Sequence, residues 1–320
     1  MQYKYLYGPI PSRRLGISLG IDPIPFKTCP LNCIYCECGA TTEFTMERKE
    51  YIPTQDLLRE LDHFMAHNQS PDFITFSGSG EPTLYKDLGF VIDYIHNNFL
   101  HTKVAVITNS IMLADKILCR ELMKADLVAP SQDAISEETY KKIDAPMKNI
   151  DINKLPQYLR EFAIEYMSLE KKELWIEIFI VEGINDTDQE ITLFIEELKK
   201  IPYSKIQLNR LDRIGTKLDL KPASMERLYY IQDRFIENGL KNVEIIGKFK
   251  KRDEIKSYNQ SLEDIIMTCL TRRSTSLKDL LIMTSSTVDD IGKYLDVLGT
   301  ENKIIQKNID GEVSYKIFHK

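Results

Sequence analysis

The stretch Thr28-Cys29-Pro30-Leu31-Asn32-Cys33-Ile34-Tyr35-Cys36 decides how this chain reads. Its three cysteines stand at the spacing C-x3-C-x2-C. Thiolates are soft ligands that suit iron–sulfur clusters, Zn or Cu(I). A protein-only Zn or Fe–S site closes with four ligands, so three clustered thiols point to a metal centre with one position open. Zn stays possible, although no His lies nearby and no second C-x2-C pair follows. Cys38 makes a C-x-C pair with Cys36, too tight for both to ligate easily, and reads as a non-ligand. Cys119, in an amphipathic segment, and Cys269, in an apolar one, read as buried structural thiols. Six cysteines so placed do not form a disulfide framework, and the expected compartment is a reducing cytoplasm.

Composition sets the outer bounds. At 320 residues the chain is long enough for one large domain and a small one. A net charge of -6 argues against a surface coated for nucleic acid. No apolar run approaches the ~20 residues of a membrane span, and residues 1–7 lack the order of a signal peptide. No membrane partner is expected.

Working outward from the cysteines, residues 1–28 are rich in Pro and Gly, with one strand expected over 15–21. From 54 to 247 short apolar runs alternate with helical periodicity. Helices are expected over 54–65, 85–98, 112–124, 152–167, 188–200 and 225–238. Strands are expected at 73–76, 104–107, 127–129, 174–181, 206–208 and 243–246. Such alternation marks parallel βαβ units. Counted from 15–21 to 206–208, six strands fit an open (β/α)6 barrel of TIM type; a doubly wound sheet fits the periodicity as well.

In parallel α/β folds ligands bind at the carboxyl ends of strands. Here those ends carry Ser77-Gly78-Ser79-Gly80-Glu81-Pro82, Thr108-Asn109-Ser110, Ser131-Gln132-Asp133-Ala134, Glu182-Gly183-Ile184-Asn185-Asp186 and Asn209-Arg210-Leu211-Asp212-Arg213. Any one of these is also ordinary turn and cap chemistry. Five on the edge that carries the cysteine loop favour a ligand site. None of the five His residues falls at a strand end, so no His catalysis is assigned. Arg13 and Arg14 read either as an anion site or as a solvated pair.

C-x3-C-x2-C with an aromatic residue before the last cysteine resembles the signature of the radical S-adenosylmethionine (SAM) superfamily. Gly8-Pro9-Ile10-Pro11-Ser12-Arg13-Arg14-Leu15-Gly16 and Gly20-Ile21-Asp22-Pro23 resemble a subgroup of Fe–S oxidoreductases related to wyosine-forming tRNA enzymes. The resemblance covers about residues 7 to 222. It implies the partial barrel, SAM as cofactor, and a [4Fe-4S] cluster held by Cys29, Cys33 and Cys36. It implies Tyr35 beside the adenine, and Ser77–Glu81, through Gly78, Ser79, Gly80 and Glu81, at the SAM amino group. Asn109, Ser110, Ser131, Asp133 and Asn185 fall on positions near the rest of SAM. The implied chemistry is cleavage of SAM to a 5′-deoxyadenosyl radical that takes hydrogen from an unidentified substrate, with RNA and peptide as candidate classes and a flavodoxin or ferredoxin as electron donor. Two rivals are an activase that installs a glycyl radical on a partner protein, and an Fe–S sensor that regulates transcription.

The sensor reading depends on the C-terminal residues. After the basic run 248–252 the pattern changes to three short helices and a β-hairpin with an Asp310-Gly311 turn. That order resembles a winged helix. The expected division is a core over 1–250 and a module over 255–320. The third helix carries Asp289, Asp290 and Asp296 against Lys293, whereas phosphate binding needs clustered Lys and Arg. DNA is therefore not the expected partner; docking or presenting a substrate or a partner protein is.

Overall fold

The computed structural model describes residues 3–12, 14–211, 215–246, 262–284, 286, 288–300, 303–309 and 311–318. The sequence readings for Arg13, Asp212, Arg213, the run 248–252 and Asp310 lie outside them, as do the side chains of Asp289, Asp290, Lys293 and Asp296.

An eight-stranded sheet organises the core, with its strands in chain order. The first two, β1 (Leu6–Ser12) and β2 (Gly16–Ile21), are antiparallel. The next six are β3 (Phe73–Phe76), β4 (Lys103–Thr108), β5 (Leu127–Pro130), β6 (Glu173–Ile180), β7 (Lys205–Arg210) and β8 (Val243–Ile245). All are parallel to β2. The helices that return the chain include α1 (Thr54–His67), α2 (Leu88–Asn98), α3 (Lys116–Leu122), α4 (Glu137–Ile143), α5 (Leu155–Tyr166), α6 (Asp188–Leu198) and α7 (Met225–Glu237). This open parallel α/β sheet agrees with a partial TIM-type barrel.

The sheet is larger than the six strands counted for the barrel. β8, expected as a strand but left out of that count, adds a seventh parallel strand, and β1 was not expected at all, because Pro9 and Pro11 argue against a strand. Pro lacks the N–H a central ladder needs, but β1 is an edge strand and tolerates it. Glu60 of α1 takes up the backbone N–H groups of Lys4 and Tyr5, each at 2.8 Å, and so secures the entry to β1. α4 was also missed; Ser136 caps it by accepting the Thr139 N–H.

Strand parity divides the sheet into two faces. Ile74, Phe76, Val104, Val106, Ile176 and Ile178 belong to the main apolar core, with Leu57, Leu61 and Phe64 of α1. Ala105, Leu127, Ala129 and Trp175 form a second cluster with Leu15, from the β1–β2 turn.

The C-terminal residues form α8 (Leu262–Arg272), β9 (Thr275–Ser276), α9 (Leu277–Thr284), α10 (Val288–Thr300), β10 (Ile304–Ile309) and β11 (Glu312–Ile317). The three strands pair antiparallel in the order β10-β11-β9. Gly311, at φ +80°, takes the left-handed turn between β10 and β11, and its N–H donates to Asn308 Oδ1. Ile266, Leu270, Leu280, Ile291 and Leu295 form this module's own core. Among the described residues no helix is long and apolar enough to cross a membrane.

Candidate active site

The cysteine loop is hung on backbone hydrogen bonds from both sides. Cys29 N–H donates to Glu43 O at 3.0 Å, Asn32 N–H to Asp144 O at 3.0 Å and Ile34 N–H to Ile143 O at 2.9 Å. Cys29, Cys33, Cys36 and Cys38 are all part-buried. Desolvation pushes the Cys29 thiol up to about 12 and Cys33 well above the usual thiol range. Cys36 goes the other way: a hydrogen bond from Cys38, helped by Lys27, holds it well below. Lys27 is buried, with Nζ 3.2 Å from Cys36 Sγ.

This donor set fits an iron–sulfur cluster: three soft sulfurs on one loop, and a buried cation that offsets thiolate charge. Among the described residues no three His, Cys, Asp or Glu side chains are placed to hold a single metal ion. A cluster attaches each thiolate to its own iron, so its ligands need not converge on one point.

Two contacts join this loop to the strand ends. Asn109 Nδ2, past β4, lies 3.4 Å from Cys29 Sγ. Tyr35 donates its hydroxyl to Asp133 Oδ2, past β5, and its ring stacks on Phe179 of β6 with centroids 3.9 Å apart. Asp133 Oδ1 also accepts the Phe179 N–H at 2.6 Å. The cysteine loop, Asn109, Asp133 and β6 are thus brought together as one surface.

Several of the expected site residues serve as braces. Glu81 is buried, and its carboxylate accepts from Thr83 N–H at 3.1 Å, Thr83 Oγ1 at 2.6 Å, Thr108 Oγ1 at 2.7 Å and Asn109 N–H at 2.9 Å. It ties the 77–81 loop to the end of β4. Asn185 is fully buried; its Nδ2 donates to Asp133 O and Phe179 O, both at 2.7 Å, and its Oδ1 accepts the Val181 N–H. Ser110, at φ +69°, donates its hydroxyl to Ser131 O at 2.8 Å. Gly78, at φ +125°, is required as glycine, since a Cβ there would stand 2.4 Å from the Asp22 carboxylate.

Burial pushes the Asp133 carboxyl up to about 7, against ~3.9 for a free aspartate. An acid raised by folding contributes stability in its protonated form. That contribution is complete below the unfolded-state value and is lost as pH rises through about 7. Melting of the metal-free protein should therefore fall between about pH 4 and pH 7. Asp133→Asn, which keeps the shape and loses the charge, should flatten that fall. Identical slopes in thermal melts would show that Asp133 is not its source.

Local sequence did not single out Lys27, Asp144, Glu177 or the far-separated Arg272. Asp144 is buried under Cys33, with its carboxyl raised well above the usual range by desolvation. Arg14 pairs with Glu177 on β6, and Glu177 also accepts from Asn209 Nδ2 at 3.0 Å. Neither reading of Arg14 anticipated this internal ion pair.

Residues 24–195 match the Radical SAM superfamily. The chain is 30% identical, over 97% of its length and 94% of the relative's, to UPF0026 protein MJ1312 of Methanocaldococcus jannaschii. It is 32% identical over 99% of its length to a protein of Brachyspira hyodysenteriae named GTPase Obg, of which it spans 46%. A radical SAM methyltransferase structure from Sphaerobacter thermophilus superposes with a TM-score of 0.56 at 16% identity, covering 71% of this chain and 65% of that one, and so shares the fold. The chain belongs to the radical SAM superfamily and, within it, to the UPF0026 proteins.

Proposed function

We propose that Cys29, Cys33 and Cys36 hold a [4Fe-4S] cluster, and that the shelf formed by Ser77–Glu81, Asn109, Ser110, Ser131 and Asp133 holds SAM beside it. The superfamily uses both groups. When bound, they supply one-electron cleavage of SAM to a 5′-deoxyadenosyl radical, which takes hydrogen from a substrate of RNA or peptide class. The observation that carries this reading is the meeting of Asn109 with Cys29 and of Tyr35 with Asp133. Gly78 and Gly80 let backbone carbonyls approach and accept from an ammonium group. Asp133 offers a buried carboxylate to hydroxyl donors, and Tyr35 orients it. The organic chemistry belongs to the cofactors; the chain binds and orients.

We read residues 1–250 as the unit that carries this chemistry and 255–320 as a winged-helix-like module that docks or presents the substrate. Nine acidic and nine basic residues over 255–320 make it a poor partner for duplex DNA. A flavodoxin or ferredoxin would supply the electron.

Anaerobically reconstituted, reduced protein should convert SAM to 5′-deoxyadenosine, read by chromatography. Asp133→Ala should keep its iron and bind SAM roughly ten- to a hundred-fold more weakly, the worth of a charge-assisted hydrogen bond. A full cluster with no 5′-deoxyadenosine would exclude the reading.

A further inference from the structure

Arg272 is the last residue of α8, yet its contacts are with the core. Its Nη1 donates to Asp22 Oδ2 at 3.0 Å and its Nη2 to Lys4 O at 3.1 Å. Its guanidinium lies 4.8 Å from the centroid of the Tyr7 ring. Two of these contacts, with Asp22 and Tyr7, lead on to the 77–81 loop. Asp22 Oδ2 accepts from Ser79 Oγ at 2.8 Å, and its Oδ1 accepts the Ser79 N–H at 3.2 Å. Tyr7 is hydrogen-bonded to Ser77 Oγ. The Arg272 carbonyl oxygen lies 2.7 Å from Cys38 Sγ, and that sulfur also lies 3.6 Å from Gly78 O. Ser77, Gly78 and Ser79 are therefore each one contact removed from the same arginine.

Two glycines make this arrangement possible. A Cβ on Gly20 would stand 2.1 Å from the Tyr7 ring, and one on Gly78 would meet the Asp22 carboxylate. Asp22 is almost wholly enclosed, with a side chain 9% exposed. Burial raises its carboxyl, and Arg272 is the largest influence in the opposite direction. Without the guanidinium, Asp22 would be an enclosed carboxylate whose remaining partners are neutral donors. Such a group takes up a proton and holds an N–H less firmly.

We propose that Arg272 is a positioning residue of the SAM site. Through Asp22 and Tyr7, the C-terminal module sets the conformation of the loop 77–81 that receives SAM. Module and cofactor site are then energetically linked, so a ligand that moves α8 changes affinity for SAM, and SAM changes affinity for that ligand by the same factor. The inference rests on the reading of 77–81 as a SAM contact.

The test uses full-length protein with a reconstituted cluster. SAM affinity is read from the change that added SAM makes in the electron paramagnetic resonance spectrum of the reduced cluster. Arg272→Met should keep its iron and lose about tenfold in SAM affinity, and Arg272→Lys should recover part of that loss. If Arg272 acts through Asp22, the double variant Asp22→Asn with Arg272→Met should bind no more weakly than the weaker single variant. A SAM-responsive wild type matched by Arg272→Met overturns the inference alone. So do single losses that multiply in the double variant, or loss of iron in Arg272→Met with none restored by Arg272→Lys. A wild type with a full cluster that shows no response to SAM overturns the reading beneath it.

Discussion

Replacing Cys29, Cys33 or Cys36 with alanine is expected to abolish cluster assembly. The wild-type chain should take up about four iron and four sulfide on anaerobic reconstitution. Each substitution leaves two thiolate anchors in a loop that offers no fourth ligand, since Cys38 is engaged with Arg272 O and Cys36. Cys38→Ala, Cys119→Ala and Cys269→Ala should retain the iron. Cys119 is enclosed in the main core and Cys269 packs against the module's core, far in function from the loop. Iron and sulfide analysis with the visible absorption of the cluster decides the matter. Iron lost on Cys38→Ala would show the ligand set to be wrong, and one Zn per chain without iron would remove the radical chemistry.

The second large effect is on stability. Glu81→Ala removes the acceptor for two hydroxyls and two backbone N–H groups in a fully enclosed setting. Hydroxyls can rotate to new partners; the N–H groups of Thr83 and Asn109 are fixed by the backbone. Each stranded donor costs about 1–3 kcal/mol, so the loss should be about 2–6 kcal/mol. That is a large share of the ~5–15 kcal/mol that holds a domain folded. Denaturant titration of the metal-free protein should show the midpoint falling, with Glu81→Gln intermediate because it keeps one acceptor oxygen. An unchanged midpoint in Glu81→Ala would mean that the 77–81 loop is not braced from this side chain. The residue that most resembles a cofactor ligand at this strand end thus holds the strand end together.

The parts of this protein that could be read from its sequence are those written in local pattern. Short continuous apolar runs such as Phe73–Phe76 and Lys103–Thr108, alternating with helical spacing in Thr54–His67, specify a parallel sheet under helices, because strands covered on both faces bury consecutive residues while a helix buries one stripe. The C-x3-C-x2-C spacing marks the candidate metal-binding loop, because thiol chemistry needs no distant partner to be recognised. What escaped is what depends on position in the finished fold. β1 is a strand despite two prolines only because it lies at the sheet's edge. α4 is too short for its periodicity to stand out.

The roles of polar side chains were decided by tertiary structure alone. Sequence placed Glu81, Asn185 and Asp133 at strand ends without separating their roles. The fold encloses all three, and ties Glu81 and Asn185 to neighbouring segments while Asp133 is shared between Tyr35 and β6. Arg272 and Asp22 are 250 residues apart, and Arg14 and Glu177 are 163 apart. The chain itself determined the class of fold and the chemistry of the cysteine loop, since hydrophobic periodicity and ligand softness act over a few residues. Which charges face each other, and which carboxylate is a brace, was decided when the sheet and the C-terminal module brought distant segments within hydrogen-bonding reach, where burial makes an unpaired polar group too costly to leave.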